Sequence, residues 1–210
     1  PAHAILAEEG GAVEGRAPFL WIVDPLDGTV NFFHGLPQFC ACVACCHLPE
    51  GGPPPAKAAD LLAGGLVGVV LAPGTGELFM GVRGQGAALD GRPLACSNAR
   101  ALEEVIVALS FGKTEAAIAR MEPVAARLAR EARKVRSYGC AGLDIVQVAD
   151  GRLGGVVYRG LHLWDFAAAG IILAEAGGRL SAAAQSDGTW NVLAAAPGVH
   201  DALAQIAPVA

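Results

Sequence analysis

Phe19 to Val23 is an unbroken apolar run that stops on Asp24-Pro25-Leu26-Asp27-Gly28-Thr29. A short continuous apolar run bounded by turn residues reads as a buried strand. Pro25 is expected to end its sheet pairing. The strand then delivers two carboxylates, Asp24 and Asp27, three residues apart, to one end of a sheet. Two anions so close repel each other unless a positive charge lies between them. A hard divalent cation such as Mg2+ suits oxygen donors. A turn shaped by Pro25 and Gly28 would also free the Leu26 carbonyl as a neutral ligand. It would turn the N–H groups of Gly28 and Thr29 toward a phosphate. The same five-residue pattern is also ordinary turn chemistry, so alone it leaves both readings open.

The rest of the pattern is mixed α/β. Strands are expected at 4–7, 39–47, 66–72, 77–82, 105–110 and 155–158, with a hairpin turn at Pro73-Gly74-Thr75-Gly76 and a tight turn at Asp90-Gly91. Helical spacing covers 114–132 and Ser137 to Gly151. A third helix runs from near Trp164-Asp165 to the glycine stop at Gly177-Gly178. The Pro- and Gly-rich stretch from Pro49 to Ala59 reads as a loop. The 210 residues, 53% hydrophobic and 17% charged, can bury a sizeable core in one domain, 1–210, with sub-lobes of about 1–104 and 105–210.

The net charge of −5 argues against nucleic acid as the main partner, because a phosphate backbone needs a positive surface. A small phosphate ligand remains compatible, since a bound cation inverts the local field. No apolar stretch reaches the roughly 18 residues of a membrane span without Gly, Pro or charge. No signal peptide is visible, so a reducing cytoplasm is expected for the six cysteines. Cys42 and Cys45 have C-x-x-C spacing beside Cys46 and His47, which suits zinc or redox chemistry. Alternation along the strand Cys40–Cys46 splits that set, and core packing is the simpler reading. Lys113-Thr114-Glu115 opens a helix without a glycine-rich run, so it is not a nucleotide loop.

The longer string Trp21-Ile22-Val23-Asp24-Pro25-Leu26-Asp27-Gly28-Thr29-Val30-Asn31-Phe32 closely resembles the first signature of the inositol monophosphatase family. Trp164-Asp165-Phe166-Ala167-Ala168-Ala169-Gly170, followed by Glu175-Ala176-Gly177-Gly178, resembles the second. Glu77-Leu78-Phe79 and Gly84-Gln85-Gly86-Ala87 look like the hairpin between them, and Ala4 to Glu9 like the strand ending in the acidic pair. The resemblance implies a layered αβαβα sandwich, here without its first helices. It implies a lithium-sensitive, Mg2+-dependent phosphatase with two or three ions per site, commonly a homodimer.

By position, the resemblance makes Glu8, Asp24, Asp27, Asp165 and the Leu26 carbonyl the metal ligands. Glu8, Asp27 and Thr29 would serve catalysis. Asp27, Gly28, Thr29, Ala141, Arg159 and Asp165 would meet the substrate, a small phosphate monoester opened by direct attack of an activated water. Asp165 also suits a helix cap. His34 and His162 lie near the two signatures. Arg159 stands where inositol-selective members carry Glu, which points toward a second anionic group on the substrate. Fructose 1,6-bisphosphate, histidinol phosphate or a phosphoadenosine nucleotide are then the alternative substrates. The family's helix that carries a carboxylate paired to the residue matching Thr29 is not within these 210 residues. The chain opens on Pro1-Ala2-His3 and reads as a fragment or a processed product. Without that helix, metal binding would survive and turnover would suffer, which makes a non-catalytic metal- or phosphate-binding fragment the rival reading.

Overall fold

The computed structural model describes residues 2–15, 18–47, 60, 63–112 and 114–209. The expected loop Pro49 to Ala59, and Lys113, lie outside them. The first sheet takes its strands from the N-terminal half: β1 Ala4–Ala7, β2 Gly11–Val13, β3 Phe19–Asp27, β4 Cys40–His47, β5 Gly65–Ala72, β6 Glu77–Val82, β7 Gly86–Leu89 and β8 Arg92–Pro93. Their order is β2-β1-β3-β4-β5-β6-β7-β8, antiparallel except for the parallel pair β1 and β3. The second sheet takes its strands from the C-terminal half: β9 Ile106–Leu109, β10 Lys134–Arg136, β11 Gly155–Leu161, β12 Arg179–Ala184 and β13 Trp190–Ala195. Its order is β10-β9-β11-β13-β12.

Among the described residues, the α-helices that build the layers are α1 Thr29–Phe33, α2 Glu115–Glu131, α3 Ala141–Ala149, α4 Leu163–Glu175 and α5 His200–Ile206. Alternation along the strands shows how they are layered. Leu20 and Ile22 of β3, Cys42 and Ala44 of β4, and Val156 and Tyr158 of β11 share one core with the buried faces of α3 and α4. That core lies between the two sheets. Val157 and Leu193, facing the opposite way, share a second core with Met121 and Leu128 of α2 and Leu203 of α5. The order is therefore sheet, helix pair, sheet, helix pair, the mixed α/β layering expected from the sequence.

Several boundaries differ from the pattern reading. Pro25 does not end β3. The pairing with β4 skips from Asp24–Cys42 to Asp27–Cys40, and Pro25 lies exposed in that bulge, where its missing N–H removes no ladder bond. The segment from Ser137 is not helical until Ala141. Gly139 is left-handed (φ 78°), and the Tyr138 carbonyl accepts a 2.7 Å bond from Asn31 Nδ2. Thr114 caps α2, accepting the Ala117 N–H at 3.1 Å.

Helix α4 lies directly on the backbone of the first sheet. A Cβ on Gly68 would fall 2.3 Å from the Ala168 carbonyl oxygen, and one on Gly81 would fall 2.8 Å from Ile172 Cα. Neither distance is tolerable, and neither neighbour is a flexible tip. Gly68→Ala is therefore expected to destabilise the fold by about 2–3 kcal/mol through overpacking. Denaturant unfolding of the purified variant checks this, and an unchanged midpoint would refute it.

Candidate active site

Asp24 has the same strand phase as Leu20 and Ile22, so its side chain points toward the helix layer and is 1% exposed. A carboxylate there requires partners. Its Oδ1 accepts the Leu26 N–H at 2.9 Å, whereas its Oδ2 is buried and has no hydrogen-bond partner among the described residues. Carboxylate oxygens of Glu8, Asp24 and Asp165 lie within 4.8 Å of one another. Glu8 arrives from the end of β1, where its N–H donates to the Val23 carbonyl at 3.3 Å. Asp165 arrives from the first turn of α4.

The electrostatics describe a site with too much negative charge. The Asp24 carboxyl is pushed up to about 8, first by burial, then by Asp27, with smaller contributions from Glu8 and Asp165. Asp27 is also raised, chiefly by burial. A bound cation removes this penalty. Oxygen-only donors, one of them orphaned and buried, fit a hard divalent ion such as Mg2+.

Asp165 caps its own helix. It occupies the third helical position, its Oδ2 accepts the His162 N–H at 2.7 Å, and its own N–H donates to the His162 carbonyl at 3.2 Å. The N-cap is therefore His162 and not Asp165 as expected; Asp165 supplies the return bond from the third helical position while standing beside Asp24. His162 stacks on Trp164 at 4.7 Å between ring centres. His34 ends α1, edge-on to Phe33.

Asp27 is held differently from Asp24. Its Oδ2 accepts the Gly142 N–H at 2.7 Å in the first turn of α3, and Cys140 Sγ lies 3.3 Å away. The positive end of a helix thus faces a carboxylate. This support was not visible in the sequence: only the Gly139-Cys140-Ala141 segment stood out, as a substrate contact. Ala141 is 3% exposed beside it. Gly28 is left-handed (φ 83°), and a Cβ there would fall 2.7 Å from the Gln38 carbonyl oxygen, so the turn admits only glycine. The Thr29 hydroxyl donates to the Leu26 carbonyl at 3.0 Å, linking two residues foreseen as catalytic and metal-binding. Asn31, 9% exposed, ties this turn to the Gln38 and Tyr138 carbonyls, each at 2.7 Å.

Arg159 engages backbone. Its guanidinium donates to the Pro208 carbonyl at 2.9 Å and to the Tyr158 carbonyl at 3.2 Å, and burial lowers its pKa. No helix among the described residues is long and apolar enough to cross a membrane.

Comparison with known proteins identifies the family of the chain. The Nus factor SuhB of Pseudomonas aeruginosa is 37% identical over 187 residues, covering 86% of this chain and 64% of that protein. The chain thus spans a little under two thirds of that relative's length. The inositol-1-monophosphatase of Synechocystis is 36% identical over 210 residues, covering 98% of this chain and 68% of that protein. The solved inositol monophosphatase of Anabaena superposes with a TM-score of 0.81 at 32% identity, over 98% of this chain and 78% of that one. Mycobacterium tuberculosis SuhB superposes at 0.80 and 30% identity, over 98% and 76%. The model of the inositol monophosphatase family matches residues 1–208, and the chain belongs to that family.

Proposed function

We propose that this chain carries the metal centre of a Mg2+-dependent phosphatase that hydrolyses a small phosphate monoester. The observation that carries the reading is the buried Asp24 Oδ2, without a hydrogen-bond partner among the described residues, beside the carboxylates of Glu8 and Asp165. In this reading Glu8, Asp24, Asp27, Asp165 and the Leu26 carbonyl hold two or three Mg2+ ions. Bound Mg2+ offsets the charge of the ester phosphate, acidifies the attacking water and stabilises the leaving oxygen.

The chain's own residues do the rest. The N–H groups of Gly28, the N-cap of α1, and Thr29, its first residue, bind phosphate oxygens. The Thr29 hydroxyl orients the attacking water. Glu8, the exposed acid of the three, accepts that water's proton. A new P–O bond forms as the ester P–O bond breaks, and the departing alkoxide takes a proton from solvent. Ala141 lines the substrate side. Arg159 of β11 is tied to the Tyr158 and Pro208 carbonyls, and a direct contact with a second anionic group on the substrate requires it to leave them.

The test is phosphate release from inositol 1-phosphate, fructose 1,6-bisphosphate and histidinol phosphate, with Mg2+ and with added Li+. Release that needs Mg2+ and falls by at least about tenfold in Li+ supports the reading. Metal binding without release from any substrate would sink the enzymatic half and favour a metal- or phosphate-binding fragment. A second reading rests on the name Nus factor carried by relatives at 37% identity: a role beside transcription through protein contacts. Retention of a transcription complex by an Asp24→Asn variant without activity would favour that one.

A further inference from the structure

Behind the hard-ion site lies a second set of donors. Cys40 Sγ is 3.5 Å from Cys140 Sγ and 3.6 Å from Cys42 Sγ. Asp27 Oδ2 is 3.3 Å from Cys140 Sγ and 3.9 Å from Cys40 Sγ. All three cysteines are free, and none is more than 1% exposed. Buried thiols usually serve as small apolar side chains. Here, however, Cys40 and Cys140 converge on one carboxylate oxygen of Asp27, which apolar packing does not call for.

The separations match a coordination polyhedron. A tetrahedral zinc ion holds thiolate sulfur at about 2.3 Å and carboxylate oxygen at about 2.0–2.2 Å, which sets two sulfurs roughly 3.8 Å apart and a sulfur and an oxygen roughly 3.5–3.7 Å apart. Asp27, Cys40 and Cys140 already stand at close to those spacings. Gly142 leaves the room: a Cβ there would lie 2.5 Å from Cys42 Sγ and 3.2 Å from both Cys40 Sγ and Asp27 Oδ2. Soft sulfur donors select thiophilic ions over Mg2+.

We infer that Cys40, Cys140 and Asp27, with Cys42 rotating in as the fourth donor, form a site for a thiophilic divalent cation such as Zn2+. Filling the site engages the Asp27 carboxylate where it already stands and so withholds it from the hard-ion site, which switches the phosphatase off. The binding step releases thiol protons to solvent and transfers no electrons. The inhibitory half rests on the phosphatase reading above; the binding half does not.

The test titrates the reduced, metal-free full chain with Cd2+ and follows the ultraviolet thiolate-to-cadmium charge-transfer band. The band should saturate at one ion per chain and persist in excess Mg2+. Cys140→Ser and Cys40→Ser should each weaken binding by about 100-fold or more, while Cys45→Ser and Cys96→Ser leave it unchanged. Serine is a favoured N-cap and residue 140 is the N-cap of α3, so Cys140→Ser keeps the fold even if Cys40→Ser does not. Circular dichroism melting verifies that. Absence of the band at one equivalent, or its survival in folded Cys140→Ser, would overturn the site. One equivalent of Zn2+ should lower Mg2+-dependent phosphate release at least tenfold. Saturation of the band with undiminished release would overturn the switch, whereas an enzyme silent under all conditions refutes the phosphatase reading and leaves the band to decide the site.

Discussion

Asp24→Asn is expected to cut Mg2+-dependent phosphate release on the order of 10³-fold, the scale seen when one preorganised electrostatic group is removed. The same change should leave the metal-free protein at least as stable as the parent at neutral pH. Both results follow from one observation. The Asp24 carboxylate is buried, faces Asp27, Glu8 and Asp165, and leaves one oxygen without a partner among the described residues. Folding must bury its charge or take up a proton to neutralise it until a cation arrives, and either is a burden. An amide of the same shape removes that burden together with the ion. Phosphate release and thermal melting of the same preparation read the two effects. A variant that loses both activity and metal-free stability would show that Asp24 serves the fold and not an ion.

The stability of the metal-free protein should fall as pH rises from about 4 to about 8, and Mg2+ should restore it most at the upper end. The sign follows from proton binding. Asp24 titrates near 3.8 in the unfolded chain and near 8 when folded, and burial pushes Asp144 up to about 7 against the lowering effect of the 2.6 Å bond it accepts from the Tyr158 hydroxyl. Both folded values are raised, so the native state holds more protons than the unfolded state across that window. Stability therefore declines with pH through it. Below the unfolded values both states are protonated and the slope vanishes. Mg2+ binds the ionised native site and adds stability by mass action, so its effect on melting temperature should be larger at pH 8 than at pH 5. Equal Mg2+ shifts at both values would contradict the placement of the ion beside Asp24.

Much of this was readable from residue order alone, because the strongest signals are local. The run from Phe19 to Val23 forms the predicted strand, and helical spacing from 114 to 132 yields a helix from Glu115 to Glu131. The C-terminal strands Arg179–Ala184 and Trp190–Ala195 went unpredicted. They are rich in alanine, which has little β preference, and become strands by pairing with each other and, for the second, with Gly155–Leu161. The bulge at Pro25 was hidden for a related reason, since only the register against Cys40–His47 reveals it. Spacing within the strand could not show that Cys40 meets Cys140, 100 residues along the chain, because that contact is made by the helix docking over Asp27.

The bare contact between the Ala168–Ile172 stretch and the strand glycines Gly68 and Gly81 has an evolutionary consequence. It fixes the height at which Asp165 hangs over Asp24, so the spacing of the ligands is inherited from positions with no ligand chemistry. A descendant could keep all of its acids and still lose the ion through one added methyl on the sheet. An inventory of conserved carboxylates would then count it as active, and only the two glycines would reveal the loss.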